Sequence, residues 1–506
     1  MWRNYVICLL VGLLIATSLS SLVLLRQSQA TQADLTSFRQ RAVAAEATRS
    51  SLQQQVDQRT SISTPGRNAI VSTNGTPGTQ PAGNAIVSPN GTPTPAAVAV
   101  APAAPIATQP VARAPVPTLA VTSNDPPVLQ QIEAQVVGLR GLQPKETVAL
   151  QMLDQASLQR MYIDRFNQDY LPSERESDQK LLATIGLVGP NESVLQILQD
   201  VLQEQILGVY SQDDKTMYLL ASSGPFGPSE KDTFAQEYDH ALQDQYFDLA
   251  TLAPKHPDND DRSLAVQAVT QGDATLIQRL WAQENLSSDE LSQLGQNSGS
   301  SKLFSAPLFL REQLLFPYAD GFNFVRQIYQ TSGYGAVDDV FRDPPQSTAQ
   351  ILHIDKYRNH VAPVAVDLPD LSQGPLGDGW REININVFGE LDFRLILAQL
   401  TDTTTGVRAA SGWSGDRWEL LEKDGHTALV SKSVWDSDAD AKLFLQTFGQ
   451  AMQNRYFGAH VEESSDTRQA LTAGQAATEF RRDGSTVVAV IAFDRPTAES
   501  IADAVS

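Results

Sequence analysis

The chain has 506 residues and a formal net charge of −21, with 37 Lys and Arg against 58 Asp and Glu. Residues 1–125 hold 8 basic and 4 acidic side chains, which leaves 29 basic and 54 acidic for the rest. An acidic body of this kind argues against nucleic acid as a partner, and the single cysteine, Cys8, excludes a disulfide framework and a cysteine-based metal site.

Tyr5 to Leu25 is an uncharged run of 21 residues, long enough to cross a bilayer. It predicts an uncleaved signal-anchor within residues 1–30, with the membrane as partner through residues 5–25 and the folded body outside. A cleaved signal peptide ending at Ser28-Gln29-Ala30 is the rival reading. Residues 31–60 read as a polar helical segment. In residues 61–125 the stretch Asn68-Ala-Ile-Val-Ser-Thr-Asn-Gly-Thr-Pro77 recurs almost unchanged from Asn84 to Pro93. Two copies followed by an Ala/Pro/Val tract make a disordered linker, not a solenoid.

The folded body begins near Pro126. Helices are expected at Val128–Val136, Lys145–Gln168 and Ser193–Gln205. Ile206–Tyr210 and Thr216–Ala221 read as paired strands around Gln212-Asp213-Asp214. Ser229-Glu-Lys-Asp232 resembles a capping box and opens a helix that carries Gln236-Glu237-Tyr238-Asp239-His240. A second helix, Arg262 to Glu284, sets Leu264, Ala268, Gln271 and Thr275 in one row. Gly272 in its middle costs helix propensity, so a close helix–helix approach is expected there. From about Pro375 a helix at Glu390–Leu400, hairpins around Lys423-Asp424-Gly425 and Asp483-Gly484, a helix after Ser437 and a tail helix from Ala498 form an α+β unit.

The five residues from Gln236 to His240 carry the chemistry. The pattern His-Glu-x-x-His places two imidazoles on one helical face to hold zinc, with the glutamate as general base for the metal-bound water. Here Glu237 stands at the base position and His240 at the second ligand, but the first ligand is Gln236.

The flanking sequence Phe234-Ala-Gln-Glu-Tyr-Asp-His-Ala-Leu-Gln-Asp-Gln-Tyr-Phe-Asp-Leu249 resembles a bacterial family of membrane-anchored, gluzincin-type surface zinc metallopeptidases. The resemblance runs upstream through Ile206-Leu-Gly-Val-Tyr210 and Lys215-Thr-Met-Tyr218. Downstream it takes in Asn259-Asp260-Asp261, Gln271-Gly-Asp-Ala-Thr275, Phe316-Pro-Tyr-Ala-Asp-Gly321 and Asp343-Pro-Pro-Gln-Ser-Thr348. It continues in Ile351-Leu-His353, Lys356-Tyr357 and Gly412-Trp-Ser-Gly-Asp416, spanning about residues 126 to 460. The family pattern has glutamate where this chain has Gln271, and in such enzymes that glutamate completes the zinc ligands. The resemblance thus implies a metal site at Gln236, His240 and Gln271 in which two of three ligands are amides. A neutral amide is a poor zinc ligand, so the expectation is no cofactor, a vestigial base at Glu237, and Gln236 and Gln271 bonded to His240 and Glu237 in the metal's place. The alternative is a working zinc peptidase with an atypical site. Tyr318, His353 and Tyr357 are further candidates, since some zincins stabilise the oxyanion with Tyr or His. The Met217–Leu220 run is a candidate for the strand that pairs with a peptide ligand.

The fold class expected is α+β. Residues 126–374 would form a mainly helical zincin-like domain with a small sheet, and residues 375–506 a C-terminal α+β domain. The function expected is a binding or scaffolding protein on the cell membrane that holds a peptide or protein ligand. Full-length protein should fractionate with membranes, and protease should release the body by cutting between about residues 60 and 120. Recovery of untreated protein in the soluble fraction, with a new amino terminus near Thr31, would show a cleaved leader instead.

Overall fold

Side-chain caps and glycine turns set several of the element boundaries. The computed structural model describes residues 126–203, 206–221, 224–254, 258–296, 301–372 and 376–506, which lie in one compact unit. The predicted span, polar helix and linker fall outside the described residues. Among the described residues no helix is long and apolar enough to cross a membrane.

The leading helix, Pro127–Arg140, ends where Gly141 takes a left-handed backbone (φ 82°). The next predicted helix divides in two. Ala149–Leu153 is a strand, β1, and the helix begins at Gln155 behind Asp154, whose side chain accepts from Ser157 N. The correction has a physical cause: β1 pairs in parallel with Thr216–Leu220, a partner far along the chain that local periodicity does not reveal. Pro172–Ile185 and Val194–Leu202 are helices, the latter capped by Ser193, whose side chain accepts from Gln196 N. Gly208–Ser211 (β2) and Thr216–Leu220 (β3) form the predicted antiparallel pair, and the small sheet has the order β1-β3-β2.

The motif helix runs from Pro228 to Phe247. Its N-cap is Gly227, and no side chain caps it, so Ser229 to Asp232 is not a working capping box. The proline at the first helical position supplies the start instead. The return helix, Asp260–Asn285, begins behind Asn259, which accepts from Arg262 N at 2.9 Å. Both helices lie in the interior. Residues 232 to 244 of the motif helix are buried without a break, as are residues 263 to 278 of the return helix. Neither has an apolar face and a wet face, so their polar side chains must find partners inside.

Gly272 has the role its position implied. A Cβ there would press into the carbonyl of Gly321 and lie 2.9 Å from Phe322 N. Gly321 meets the backbone of Ala268 just as closely. This contact is backbone on backbone, between the return helix and the π turn Pro317–Gly321 that joins Leu308–Phe316 to Phe322–Arg342. Pro317 cannot donate a helical hydrogen bond, which accounts for the wide turn.

The C-terminal part is a seven-stranded antiparallel sheet ordered β4-β5-β6-β10-β9-β8-β7. Its strands are Arg381–Asn386, Trp413–Lys423, His426–Trp435, His460–Ser464, Arg468–Ala473, Ala476–Asp483 and Thr486–Ala492, β4 to β10 in chain order. Asp424 and Gly425 both take positive φ at the β5–β6 turn, as a two-residue hairpin requires. Alternation sorts the side chains. Val488, Val490 and Ala492 join the layer under the tail helix Arg495–Val505, while Val487, Ala489 and Ile491 face the opposite layer with the helices Gly389–Leu400 and Asp438–Arg455. That second layer is continuous with the core beneath the return helix, through residues such as Leu264, Phe322, Phe388 and Trp418. The architecture is mixed α+β.

Gly272→Ala tests the close approach. Alanine favours a helix by about 1 kcal/mol over glycine in an open setting. Here the neighbouring atoms are backbone and cannot swing aside, so overpacking should outweigh that gain and cost roughly 1–3 kcal/mol in chemical denaturation. A neutral or stabilising result would show that the two helices can part.

Candidate functional site

The motif and return helices bring Gln236, Glu237, His240 and Gln271 into the interior, each no more than 2 % exposed. His240 Nε2 lies 3.2 Å from the Gln271 amide oxygen, across the two helices. His240 Nδ1 lies 3.0 Å from Gln243 Oε1, one turn further along its own helix. Gln243 turns its other end to three acceptors: Asp239 Oδ2 at 2.7 Å, Thr270 O at 3.1 Å and Asp273 Oδ2 at 3.2 Å. Those acceptors fix the Gln243 amide, so its oxygen accepts from Nδ1–H of His240. Burial lowers the His240 pKa, which keeps the ring neutral and leaves Nε2 as an acceptor. A half-turn of the Gln271 amide then presents its N–H to Nε2 and satisfies both groups.

Glu237 is not paired with His240. Its Oε2 accepts the backbone N–H of Tyr210 at 2.9 Å. Burial raises its pKa to about 8, against the one favourable hydrogen bond from Tyr210. The carboxyl is therefore neutral at pH 7. Gln236 departs from expectation more sharply, because neither end of its buried amide has a hydrogen-bond partner. Of the predicted amide network, the Gln271–His240 contact forms and the contacts of Gln236 do not.

The small sheet closes this region. β3 pairs on both sides, so Met217–Leu220 has no open edge for a peptide. β2 is the strand beside the motif helix, and all four of its residues are buried. On it, Tyr210 N is taken by Glu237, and Gly208 O accepts from Tyr162 OH at 3.0 Å.

Next to the amides lies a charged cluster that the sequence reading did not find. Arg140, the last residue of the leading helix, donates from Nε to Asp273 Oδ2 at 2.9 Å and lies 3.8 Å from Asp239 Oδ1. Its Nη1 is 2.7 Å from Asp338 Oδ1, and its guanidinium sits 4.7 Å from the centre of the Tyr334 ring. Burial alone would depress the Arg140 pKa, but the three carboxylates together hold it above its ordinary value. Burial raises both Asp239 and Asp273; their mutual repulsion adds to the rise at Asp239, and Arg140 opposes it at both. Asp239 thus points into this cluster and away from His240, as expected for adjacent helical positions. The signal available in sequence was Asp273 beside Gln271, but its partner lies 133 residues upstream.

The three further candidates lie elsewhere. Tyr318 is buried in the π turn as part of the main core. His353 Nε2 lies 2.7 Å from Glu390 Oε1. Tyr357 donates to the Asp343 carbonyl at 2.9 Å and packs edge-on against Phe324. His360, His426 and His460 are exposed, as read from sequence, and His256 is outside the described residues.

The donor set does not fit zinc. Zinc is held by imidazole, thiolate or carboxylate, and here one imidazole stands with two amides. Among the described residues no group of three or more His, Cys, Asp or Glu could hold a metal ion.

Comparison with known proteins adds little about activity. Residues 379–503 match a family described as a domain of unknown function, DUF8575. A crystal structure described as "a putative hydrolase with a novel fold" from Chloroflexus aurantiacus is 15% identical, with a TM-score of 0.32, covering 46% of this chain and 87% of the other. No curated protein matches the chain.

The protonation of Glu237 has a measurable consequence. Its folded pKa, about 8, lies above the ordinary 4.5, so the folded state holds a proton that the unfolded chain releases. Stability from this group is full below about pH 4.5 and falls as pH rises to about 8. Glu237→Gln keeps an acceptor for Tyr210 N and removes the titration. Relative to wild type it should gain on the order of a few kcal/mol between pH 5 and 8. Parallel stability curves for the two proteins would show that Glu237 does not hold the proton.

Proposed function

We propose that this chain is a membrane-anchored, extracytoplasmic relative of His-Glu-x-x-His zinc metallopeptidases that has lost zinc and catalysis and serves as a binding or scaffolding protein. The observation that carries the reading is the pair His240 and Gln271, 3.2 Å apart on two buried helices. In a tetrahedral zinc site with bonds of about 2.0–2.1 Å, two ligand atoms stand roughly 3.3 Å apart. The 3.2 Å contact, within hydrogen-bond range, also matches that ligand spacing, and this supports the reading while one of the two atoms belongs to an amide. Gln243 supports the same reading, because it takes Nδ1–H and leaves Nε2 bare toward Gln271, as a second-layer partner of a metal-binding histidine does.

Two more features support loss of catalysis over an atypical peptidase. The burial of Gln236, Glu237, His240 and Gln271 leaves no room for a polypeptide at the base. With no metal beside it, burial holds Glu237 as the neutral acid, its pKa raised to about 8. Peptide or protein ligands of such a protein would bind on its surface, not at the old centre.

Reversal of the two amides tests the geometry. Gln236→His combined with Gln271→Glu should bind about one zinc per chain, because it restores two imidazoles and a carboxylate. Either single change should bind much less. The wild-type protein should carry no stoichiometric zinc, and a chelator should leave its melting temperature unchanged. Failure of the folded double variant to take up zinc would refute the convergence. Zinc-dependent proteolysis by the wild type, abolished in Glu237→Gln, would establish the enzyme reading instead.

A further inference from the structure

The edge strand of a sheet presents unpaired backbone donors and acceptors, and folded proteins blunt such edges with charges, bulges or a covering element. Three of the four sheet edges in this fold are treated in that way. On β2 the outward groups are taken, Tyr210 N by Glu237 and Gly208 O by Tyr162 OH. β4 has a bulge between Glu382 and Asn384 and lies against the helix Pro172–Ile185, through Arg381 with Glu176 and Asn384 with Ser177. β7 has a bulge between Val461 and Glu463 and carries Glu462 and Glu463.

Among the described residues β1 has none of these devices. It pairs with β3 along its whole length without a register shift. The run from Thr147 to Leu153 holds no charge and no proline, in a body with 54 acidic and 29 basic side chains. The pairing fixes which way each peptide group points. Leu153 O accepts from Ala221 N at 2.7 Å, so Leu153 faces β3, and by alternation so do Gln151 and Ala149. Leu150 and Met152 therefore turn their N–H and C=O groups outward, where among the described residues they meet no partner. Their side chains share one face of the sheet. Leu150 packs on the cluster that holds Met217 and Phe234, and Met152 is exposed at the rim. Ala149 and Gln151 are exposed on the other face.

Such an edge is its own complement. With two strands antiparallel about a two-fold axis at Gln151, Leu150 of one copy stands opposite Met152 of the other. Each of these pairs exchanges both of its N–H···O bonds. Leu150 and Met152 then meet as apolar neighbours on one face, and the two Gln151 amides meet on the other. No like charges are opposed along the strand, whereas an acidic body repels a second copy elsewhere. We propose that β1 is the docking edge for a second copy of this chain, paired in that register. The contact is isologous, so it closes at two copies and leaves no free edge to recruit further strands. A strand pair this short buries less than the roughly 1,200 Å² of a standard stable interface, so the dimer is transient. The inference does not depend on the loss of zinc.

Cross-linking of the full-length protein tests the register, using Gln151→Cys in a Cys8→Ser background. Across the axis the two Cα atoms of residue 151 stand about 4.5 Å apart, within disulfide reach. Those of residue 149 are offset along the strands by roughly 13 Å, out of reach. Mild oxidation should therefore link Gln151→Cys at least roughly tenfold more than Ala149→Cys, although both positions are exposed. Met152→Pro removes an outward N–H, the place where an edge strand tolerates proline. Added to Gln151→Cys, it should abolish the link and leave the circular dichroism unchanged. If that variant fails to fold, the contrast between positions 151 and 149 decides alone. In the wild type, amide exchange at Leu150 and Met152 should be fast in dilute solution and slow in concentrated solution. Equal linking at 149 and 151, no linking at 151, or undiminished linking in folded Met152→Pro would each overturn the proposal. Slow exchange at every dilution would show the edge covered by the chain itself or by a bound peptide, and would overturn it as well.

Discussion

Arg140 is the residue on which the arrangement of the two central helices depends. Asp239 comes from the motif helix and Asp273 from the return helix, and both are wholly buried. Two carboxylates so placed repel each other and have no access to water. The guanidinium between them supplies the counter-charge, and Asp338 and the Tyr334 ring complete its surroundings. Removing one partner of such a buried set costs about 3–5 kcal/mol, because a charge is left uncompensated. Gln243 carries the constraint onward. One end of its amide answers the two carboxylates, so the other end must face His240. The orientation of the imidazole is thus set by a charge cluster on the far side of the glutamine.

The contact at Gly272 acts on the opposite side of the return helix. Backbone meets backbone at Gly321, and no side chain can change that spacing by rotating. Packed interiors behave as close-packed solids, so the helix is fixed between the π turn and the motif helix. The 3.2 Å separation of His240 and Gln271 follows from these two supports.

The sequence made local structure plain and long-range partners obscure. The Lys423-Asp424-Gly425 and Asp483-Gly484 turns, the cap at Ser437 and the helical spacing from Phe234 to Gln245 all lie within a few residues of what they determine. β1 was hidden because three helices and β2 separate it from its partner β3, and its five residues read equally well as helix. β4 was hidden for the same reason, since two helices separate it from β5, whereas β7 and β8 pair with chain neighbours and went unread as short, partly exposed strands. The positions of Gln236, His240 and Gln271 could be read from spacing and resemblance. Arg140 could not, since nothing within its own helix marks it as a counter-ion. Gln236 misled for a different reason. Its residue type promised a donor and an acceptor, and only the fold decides whether anything lies within reach of them.

On the proposed reading of a former zinc site, charge explains why amides would be consistent replacements at this centre. A site of two histidines and one glutamate with zinc carries a net charge of about +1 before water binds. Removing the metal alone would strand a buried carboxylate at position 271 beside Glu237, with only neutral imidazole for company. Glutamine at 271 removes that charge and keeps a polar atom facing His240. Glutamine at 236 removes a second titratable ring from a place where burial would keep it neutral in any case. With Glu237 protonated by burial and His240 held neutral, all four positions are uncharged at pH 7. The charges that remain sit one layer away, against Arg140, where a counter-ion exists. The centre is therefore self-consistent as a neutral core, and a single reversion would break that consistency without completing a metal site. This is the physical reason to expect zinc uptake only when both amides are replaced together.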